Sequence, residues 1–309
     1  MTNSLLIVVG PTAIGKTGLG IALAEAFNAE VVSADSRQFF KDMSIGTAVP
    51  TSLELAQVKH HFIQHISIHE PYSVGDFERD AIKKLDLLFE KNPIQCMVGG
   101  SVLYVKAVLE GLDHFPKVDA SVREQLKEEF ESNGLLPLQR KLKQFDPVSA
   151  EKIDIQNPQR VIRALEVSIG SGQPYSSFLK DQSVPRNFQP FKIGLTAKRS
   201  IIYERINRRV DTMMENGLLA EAEALYPLKR LNALNTVGYK ELFTFFDGDC
   251  TLPEAVEEIK KNTRRFAKRQ LTWYRKDESV HWYDYTTPHE EIIKEIKKKF
   301  LPHQAGGLS

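Results

Sequence analysis

Apolar and polar positions follow two rhythms along this chain. The near-continuous apolar runs "LLIVVG", "EVVSAD" and "PIQCMVGG" predict strands buried on both faces of a parallel sheet. Each is followed by sequence with a helical period. Lys16 to Phe27 places Leu19, Leu23 and Phe27 at i, i+4 and i+8, and Asp76 to Glu90 sets Phe77, Ile82, Leu85 and Phe89 among charged residues. Strand and helix in alternation predict a three-layer α/β core. After "GLDHFPKVD" the strands stop. From Ala120 to about Lys180 the period is helical throughout, and "VREQLKEEFESNG" and "PQRVIRALEVSIGSG" each end in a glycine that suits a helix stop. "QSVPRNFQP" reads as a loop returning to one more strand, "FKIGLT" (Phe191 to Thr196), and beyond Ser200 the chain reads as helical to about Arg275. The expected organisation is a core from 1–114 and 191–300 with C-terminal helices, a helical insertion at 115–190, and a tail at 301–309.

Composition narrows this only slightly. The 309 residues are 42% hydrophobic and 26% charged, ordinary for a globular protein, and no apolar run approaches a membrane span. No basic segment leads into an apolar one at the N-terminus, so the expected location is the cytoplasm. Cys96 and Cys250 lie far apart without metal spacing and read as free thiols. The net charge of +1 gives no global pull toward polyanions, so a nucleic-acid partner needs a local basic face.

The first strand runs directly into "GPTAIGKT". Gly10, Pro11, Thr12, Ala13, Ile14, Gly15, Lys16 and Thr17 fit the phosphate-cradling pattern G-x-x-x-x-G-K-[ST] between a strand and a helix. There, backbone N–H groups and the helix N-terminus bind phosphate oxygens, Lys16 adds charge, and the Thr17 hydroxyl suits Mg²⁺. The fold class this implies is an α/β, P-loop NTPase-like three-layer core with a parallel sheet, plus the helical insertion. A standard NTPase also carries an acid at the end of another apolar strand to order Mg²⁺. Here that strand ends "MVGGS": Gly99, Gly100 and Ser101 stand where the acid is sought. The acid closing a buried strand near the loop is Asp35, which suits either a Mg²⁺ ligand or a general base. The sequence leaves both open.

The stretch "EIKKNTRRFAKRQLTWYRK" supplies a local basic face. Lys260, Lys261, Arg264, Arg265, Lys268, Arg269, Arg275 and Lys276 are opposed by Glu258 alone, and Trp273 and Tyr274 follow. Arg264/Lys268 and Arg265/Arg269 are i, i+4 pairs, giving two basic ridges that suit an RNA backbone; the competing reading is a solvated helix face with core-packed aromatics. Arg160 and Arg163 sit after Pro158 near a helix start, free for phosphate or paired with Glu166. Arg205, Arg208 and Arg209 add a third group, Arg205 and Arg209 on one face. His60 and His61 look like a metal pair, but neighbours on an extended chain point apart, which argues against it.

Taken together, "GPTAIGKT", "SADSRQFFKDMSIGTA", "YSVGDFERDA", "VGGSVLYVKAVLEGL", "NPQRVIRALEV", "RINRRVDTMMENGLLAE", "TVGYKEL" and "RRFAKRQLTWYR" resemble, in order and spacing, the bacterial tRNA dimethylallyltransferase (tRNA isopentenyltransferase) family from residue 10 to about 275. Phe40 stands where the family often has Tyr, Ser101 where it has Thr, and Val49 where it commonly has Lys; a C-terminal zinc-finger extension is not expected. The resemblance implies transfer of the dimethylallyl group of dimethylallyl diphosphate to N6 of adenosine 37 in tRNAs reading codons that begin with U, with diphosphate leaving. It implies that Gly10 to Thr17 hold the diphosphate with Arg209 as a second cation, that Mg²⁺ bridges through Thr17 and Ser101, and that Asp35 is the general base. Catalytic roles then fall to Asp35, Lys16, Ser101 and Arg209. It places tRNA contacts at Asp35, Ser36, Arg37, Gln38, Ser101, Arg123, Gln159, Arg160, Val161, Ile162 and Arg163, on a monomer.

Three rivals remain at this stage. A small-molecule kinase shares the loop but lacks support from the missing second acid. A prenyltransferase acting on AMP, ADP or ATP shares the chemistry but needs no RNA-gripping insertion. A non-catalytic RNA-binding protein does not explain intact Lys16, Thr17 and Asp35.

Overall fold

The computed structural model describes residues 2–179 and 184–300; the expected tail at 301–309 and the start of "QSVPRNFQP" lie outside them. Among the described residues, six strands form one all-parallel sheet: β1 (Asn3–Val9), β2 (Val31–Ser33), β3 (His60–His61), β4 (Ile94–Val98), β5 (Phe188–Thr196) and β6 (Val280–Asp284), in spatial order β3-β2-β4-β1-β5-β6. β1 is central, its Leu6 level with Cys96 of β4 on one side and Phe191 of β5 on the other.

The chain divides into two compact units. Met1–Glu110 with Arg186–Ser309 carries the sheet, and Gly111–Pro185 is the second unit. The boundaries lie a few residues before those read from the sequence. The reason is local. The fourth helix of the first unit ends at Glu110, and Arg186 already belongs to the sheet unit, donating to Glu78 Oε1 at 2.5 Å and Ala107 O at 2.9 Å.

In the sheet unit the first helices are α1 (Lys16–Phe27), α2 (Ser52–Gln57), α3 (Val74–Phe89) and α4 (Val102–Glu110). Capping boxes start two of them, Thr51 with Glu54 at α2 and Ser73 with Asp76 at α3. The second unit holds α5 (Ala120–Asn133), α6 (Leu135–Phe145), α7 (Pro147–Lys152) and α8 (Pro158–Ser171), closed around Leu126, Leu138, Leu142, Val161 and Leu165. Asn157 caps α8, its side chain accepting from Gln159 N and Arg160 N, and Gly172 ends it in the left-handed conformation. The sheet unit resumes with α9 (Arg199–Glu215), α10 (Leu218–Leu225), α11 (Tyr239–Phe246), α12 (Leu252–Tyr274) and α13 (His289–Phe300).

The pleat decides which helix meets which face. Leu5, Ile7 and Val9 join Val32 and Met97 against α3, α4, α10 and α11, while Leu6 and Val8 join Cys96 and Ile193 against α1, α9 and α13. All five β1 residues named are fully buried, which is why the run reads as unbroken apolar sequence. Two strands were not predicted. β3 is two residues long, and β6 is an edge strand, "VHWYD", with polar positions exposed. Gly194 on β5 makes room for β6: a Cβ there would stand 2.5 Å from the Trp282 ring. Both cysteines are free, and burial pushes the Cys96 thiol up to about 12. No helix among the described residues is long and apolar enough to cross a membrane.

Candidate phosphate and acceptor site

The carboxyl ends of β1, β4 and β2 lie side by side, so the segments leaving them meet at one edge of the sheet, where open α/β sheets place their ligands. β1 feeds Gly10–Thr17. Gly15 takes φ 113° at the start of α1, a conformation that glycine adopts without Cβ strain. No side chain caps α1 and no acid lies in its first turn. Its N-terminal N–H groups are therefore left to an anion. Lys16 folds back over the loop, Nζ donating to Pro11 O at 2.8 Å.

β2 delivers Asp35, half-buried beside this loop. Its Oδ1 accepts from Arg37 N at 3.1 Å. The Arg37 guanidinium is held in turn by Ala233 O at 3.2 Å and Asn235 O at 3.4 Å. Burial pushes the Asp35 carboxyl above its ordinary range, against the Arg37 N–H and the charges of Lys16, Arg37 and Arg209. Burial likewise pushes the Lys16 ammonium down to about 8, with Asp35 opposing and Arg209 reinforcing the shift. Arg209 is lowered too, first by burial and then by Arg205. Lys16, Asp35 and Arg209 thus act in one electrostatic field.

β4 delivers "GGS". Gly99 and Gly100 are needed for close approach: a Cβ on Gly99 would stand 2.4 Å from Ala34 O, and one on Gly100 2.3 Å from Gln270 Nε2. Ser101 Oγ accepts from Ser36 N at 3.1 Å and lies 3.2 Å from Ser36 Oγ, which ties the β4 and β2 ends together. The amide of Gln38 is used internally, Nε2 donating to Ala48 O at 2.9 Å while Oε1 accepts from Ser33 Oγ at 3.3 Å. Thr17 and Ser101 carry hydroxyl oxygens of the kind Mg²⁺ accepts beside waters and phosphate, and among the described residues no group of three or more His, Cys, Asp or Glu side chains is placed to hold a metal ion.

A cavity of about 760 Å³ adjoins the loop. Ala13, Ser44, Ile45, Val49, Arg205 and Arg209 are among its lining residues. Arg205 braces the loop, Nε donating to Ala13 O at 2.8 Å, and its guanidinium lies 5.1 Å from the Tyr285 ring centre. Val49, one of the departures from the family pattern, is in the cavity wall; Phe40, another, is buried in the core.

The remaining sequence-read residues sort differently. In the helical unit, Arg123 and Arg163 converge on Glu166 at 2.7 and 3.2 Å, and Arg163 lies 5.2 Å from the Phe115 ring centre. Gln159 and Arg160 are both exposed near the N-terminus of α8. Val161 and Ile162 are 0% and 1% exposed, so their side chains hold the unit together and present nothing to a ligand. On α12 the expectation that Glu258 alone opposes the basic residues needs correcting. Lys260 pairs with Asp211 and Glu257 at 2.8 and 2.9 Å, Lys261 with Glu258 at 2.8 Å, and Arg264 donates to Asn207 at 2.6 Å. Lys268 and Arg269 stay exposed without an ion pair among the described residues. The aromatics split as well, Trp273 exposed and Tyr274 buried. His61 is bound to Glu30 at 2.6 Å and His60 to Val58 O at 2.7 Å, so the vicinal histidines serve separate structural bonds.

Two residues escaped the sequence reading. Glu221 of α10 accepts from Ser44 N, Ile45 N and Gly46 N at 3.0, 2.9 and 2.9 Å and from Tyr239 Oη at 2.6 Å, fixing the cavity wall. Gln270 of α12 reaches Thr12 and Gly100. Both lie inside quoted stretches, "GLLAE" and "AKRQL", but their partners are at least 170 residues away apart from Tyr239, and nothing local marks them.

A sequence model of the IPP transferase family matches residues 38–277. That span begins after the phosphate loop, so the loop stands on its own geometry. A tRNA dimethylallyltransferase of Christiangramia forsetii is 57% identical over 299 residues, covering 97% of this chain and 99% of the relative. One from Flavobacterium psychrophilum is 56% identical over 303 residues, covering 96% and 99%. Among solved structures, a full-length tRNA isopentenylpyrophosphate transferase of Bacillus halodurans matches with TM-score 0.70 and 38% identity over 97% of this chain and 96% of that one. A eukaryotic dimethylallyltransferase acting on tRNA matches with TM-score 0.80 and 25% identity, over 97% and 80%.

Proposed function

The chain belongs to the IPP transferase family, and from that premise we propose its reaction: transfer of a dimethylallyl group from dimethylallyl diphosphate to N6 of adenosine 37 in tRNA. The observation that carries this reading is the uncapped start of α1 with Lys16 on one strand end and Asp35, its carboxyl raised by burial, on a nearby one.

An exocyclic adenine amine is a weak nucleophile, while an allylic C–O bond breaks readily once its leaving group is neutralised. Stabilising that group and aligning the reactants are therefore the main tasks. The uncapped N–H groups at the start of α1, with Lys16 and Arg209, receive the diphosphate charge. The loop residues and Thr17 with Ser101 would hold Mg²⁺, which when bound neutralises the departing diphosphate. Asp35 orients N6 and accepts its proton as the N6–C1 bond forms and the C1–O bond breaks. The Arg37 N–H keeps Oδ1 in place and leaves the other carboxylate oxygen for the proton. Burial raises the Asp35 carboxyl, which strengthens it as a base, and the charges of Lys16, Arg37 and Arg209 oppose that rise.

The acceptor adenine must leave the anticodon-loop stack to reach Asp35, at a cost of about a few kcal/mol. Phosphate contacts offset this. We assign them to the exposed Lys268 and Arg269 of α12 and, in the helical unit, to Arg123, Arg160 and Arg163 beside Gln159. The protein works as a monomer in this reading.

The test is incubation of the full chain with labelled dimethylallyl diphosphate and unmodified tRNA, then nucleoside mass spectrometry. Prenylated adenosine is the expected product; label transfer from ATP to a small molecule instead would make the protein a kinase. Asp35→Asn is expected to lower kcat by about a hundredfold to ten-thousandfold, with tRNA affinity within about threefold. Near-normal turnover in that variant removes Asp35 as the base.

A further inference from the structure

Gln270 is 3% exposed, between the solvent-facing Lys268 and Arg269 and the helix end. Both ends of its amide are bonded outside its own helix. Oε1 accepts from Thr12 N at 2.9 Å, inside the phosphate loop, and Nε2 donates to Gly100 O at 2.9 Å, in the turn after β4. A backbone N–H cannot accept and a carbonyl cannot donate, so the two partners fix the amide in one orientation. A Cβ on Gly100 would meet Nε2 at 2.3 Å and Lys16 Nζ at 3.6 Å, so the amide lies against the Gly100 backbone with the Lys16 ammonium close by.

We propose that Gln270 is a positioning residue for the diphosphate. It sets the spacing between the phosphate loop and the Gly99–Ser101 turn, and with it the placement of Lys16 and Ser101. A neutral amide is the group that fits. An acid would offer no donor to Gly100 O and would put a negative charge where the leaving group's charge must be neutralised. A hydrocarbon would strand a buried N–H and a buried carbonyl. The helix assigned to RNA contact thus also holds the donor loop, through one residue on its buried side. This rests on the reading that the loop binds diphosphate.

The test uses the full chain with Gln270→Leu and Gln270→Glu. Inorganic diphosphate affinity is measured by calorimetry with Mg²⁺, KM for dimethylallyl diphosphate and kcat by tRNA prenylation, and tRNA affinity by filter binding. Gln270→Leu is expected to weaken diphosphate binding and raise that KM by about tenfold, through the loss of two buried hydrogen bonds. Gln270→Glu, matched in shape and still accepting from Thr12 N, is expected to lose more. In both, tRNA affinity stays within about threefold. Unchanged diphosphate affinity in either folded variant overturns the proposal, as does a parallel loss of diphosphate and tRNA affinity, which marks general damage to the fold. If Gln270→Leu fails to fold, Gln270→Glu decides alone. Wild-type protein that binds diphosphate but prenylates no RNA sinks the functional reading while leaving this inference to stand on the calorimetry. Wild-type protein that binds no diphosphate sinks both.

Discussion

Lys16 keeps a positive charge where the fold disfavours one. Its ammonium is pushed from 10.5 down to about 8, chiefly by burial. A lysine so lowered destabilises the folded state while charged, by about 3 kcal/mol on the usual conversion. The penalty is complete below about pH 8 and fades as the pH rises toward the unfolded value of 10.5. Lys16→Met should therefore be more stable than the natural protein at pH 7, by about 1–3 kcal/mol after the missing bond to Pro11 O is counted. Urea denaturation should show the difference closing as the pH approaches 10.5. The variant should no longer bind diphosphate. The role proposed for this lysine comes from "GPTAIGKT" alone, because the loop's pattern is local, eight consecutive residues between a strand and a helix. Asp35 was legible as an acid closing an apolar strand, but its choice between metal ligand and base was not. Its surroundings, burial together with Arg37, Lys16 and Arg209, are assembled only by the fold.

At the level of elements, the strands and helices that the sequence made plain are those with one uniform environment. β1 and β4 are covered on both faces and α1 and α3 on one. β6 was missed because an edge strand has no unbroken apolar run, and α12 was misjudged in its charges because Asp211 and Asn207, on α9, are remote in sequence. Glu221 belongs here too. It satisfies three successive backbone N–H groups of the 44–46 turn and the buried Tyr239 hydroxyl, whose phenol is pushed up first by burial and then by that bond. Glu221→Ala leaves those donors unpaired. It should destabilise the protein by about 2–4 kcal/mol in chemical denaturation: a fully stranded group costs about 1–3, which applies in full to the buried Tyr239 hydroxyl and only in part to the three half-buried turn N–H groups. It should also raise KM for the donor, because Ser44 and Ile45 line the cavity beside Arg209.

Across the whole molecule the net charge is only +1, so RNA attraction must come from a few outward cations and not from a global field. Of the eight basic residues on and just after α12, Lys260, Lys261 and Arg264 are already engaged inside the protein. The double variant Lys268→Ala/Arg269→Ala should flatten the dependence of log affinity for tRNA on log salt by about 1.4–1.8, at about 0.7–0.9 for each phosphate no longer neutralised. An unchanged slope would move the RNA interface off α12. The layered α/β architecture was readable at this scale from alternation alone. The join between the units was placed a few residues late, because the ion pair that anchors Arg186 to Glu78 leaves no trace in the local pattern.

β5 lies beside β1 in the middle of the sheet, yet it is encoded almost two hundred residues downstream. During synthesis, then, the first strand emerges early and pairs with β4, but its other backbone edge stays open until the entire helical insertion has been translated. An unpaired apolar edge is a template for aggregation. The interval in which a nascent chain leaves that edge open is therefore set by the length of the insertion it carries, and any lengthening of that insertion prolongs it.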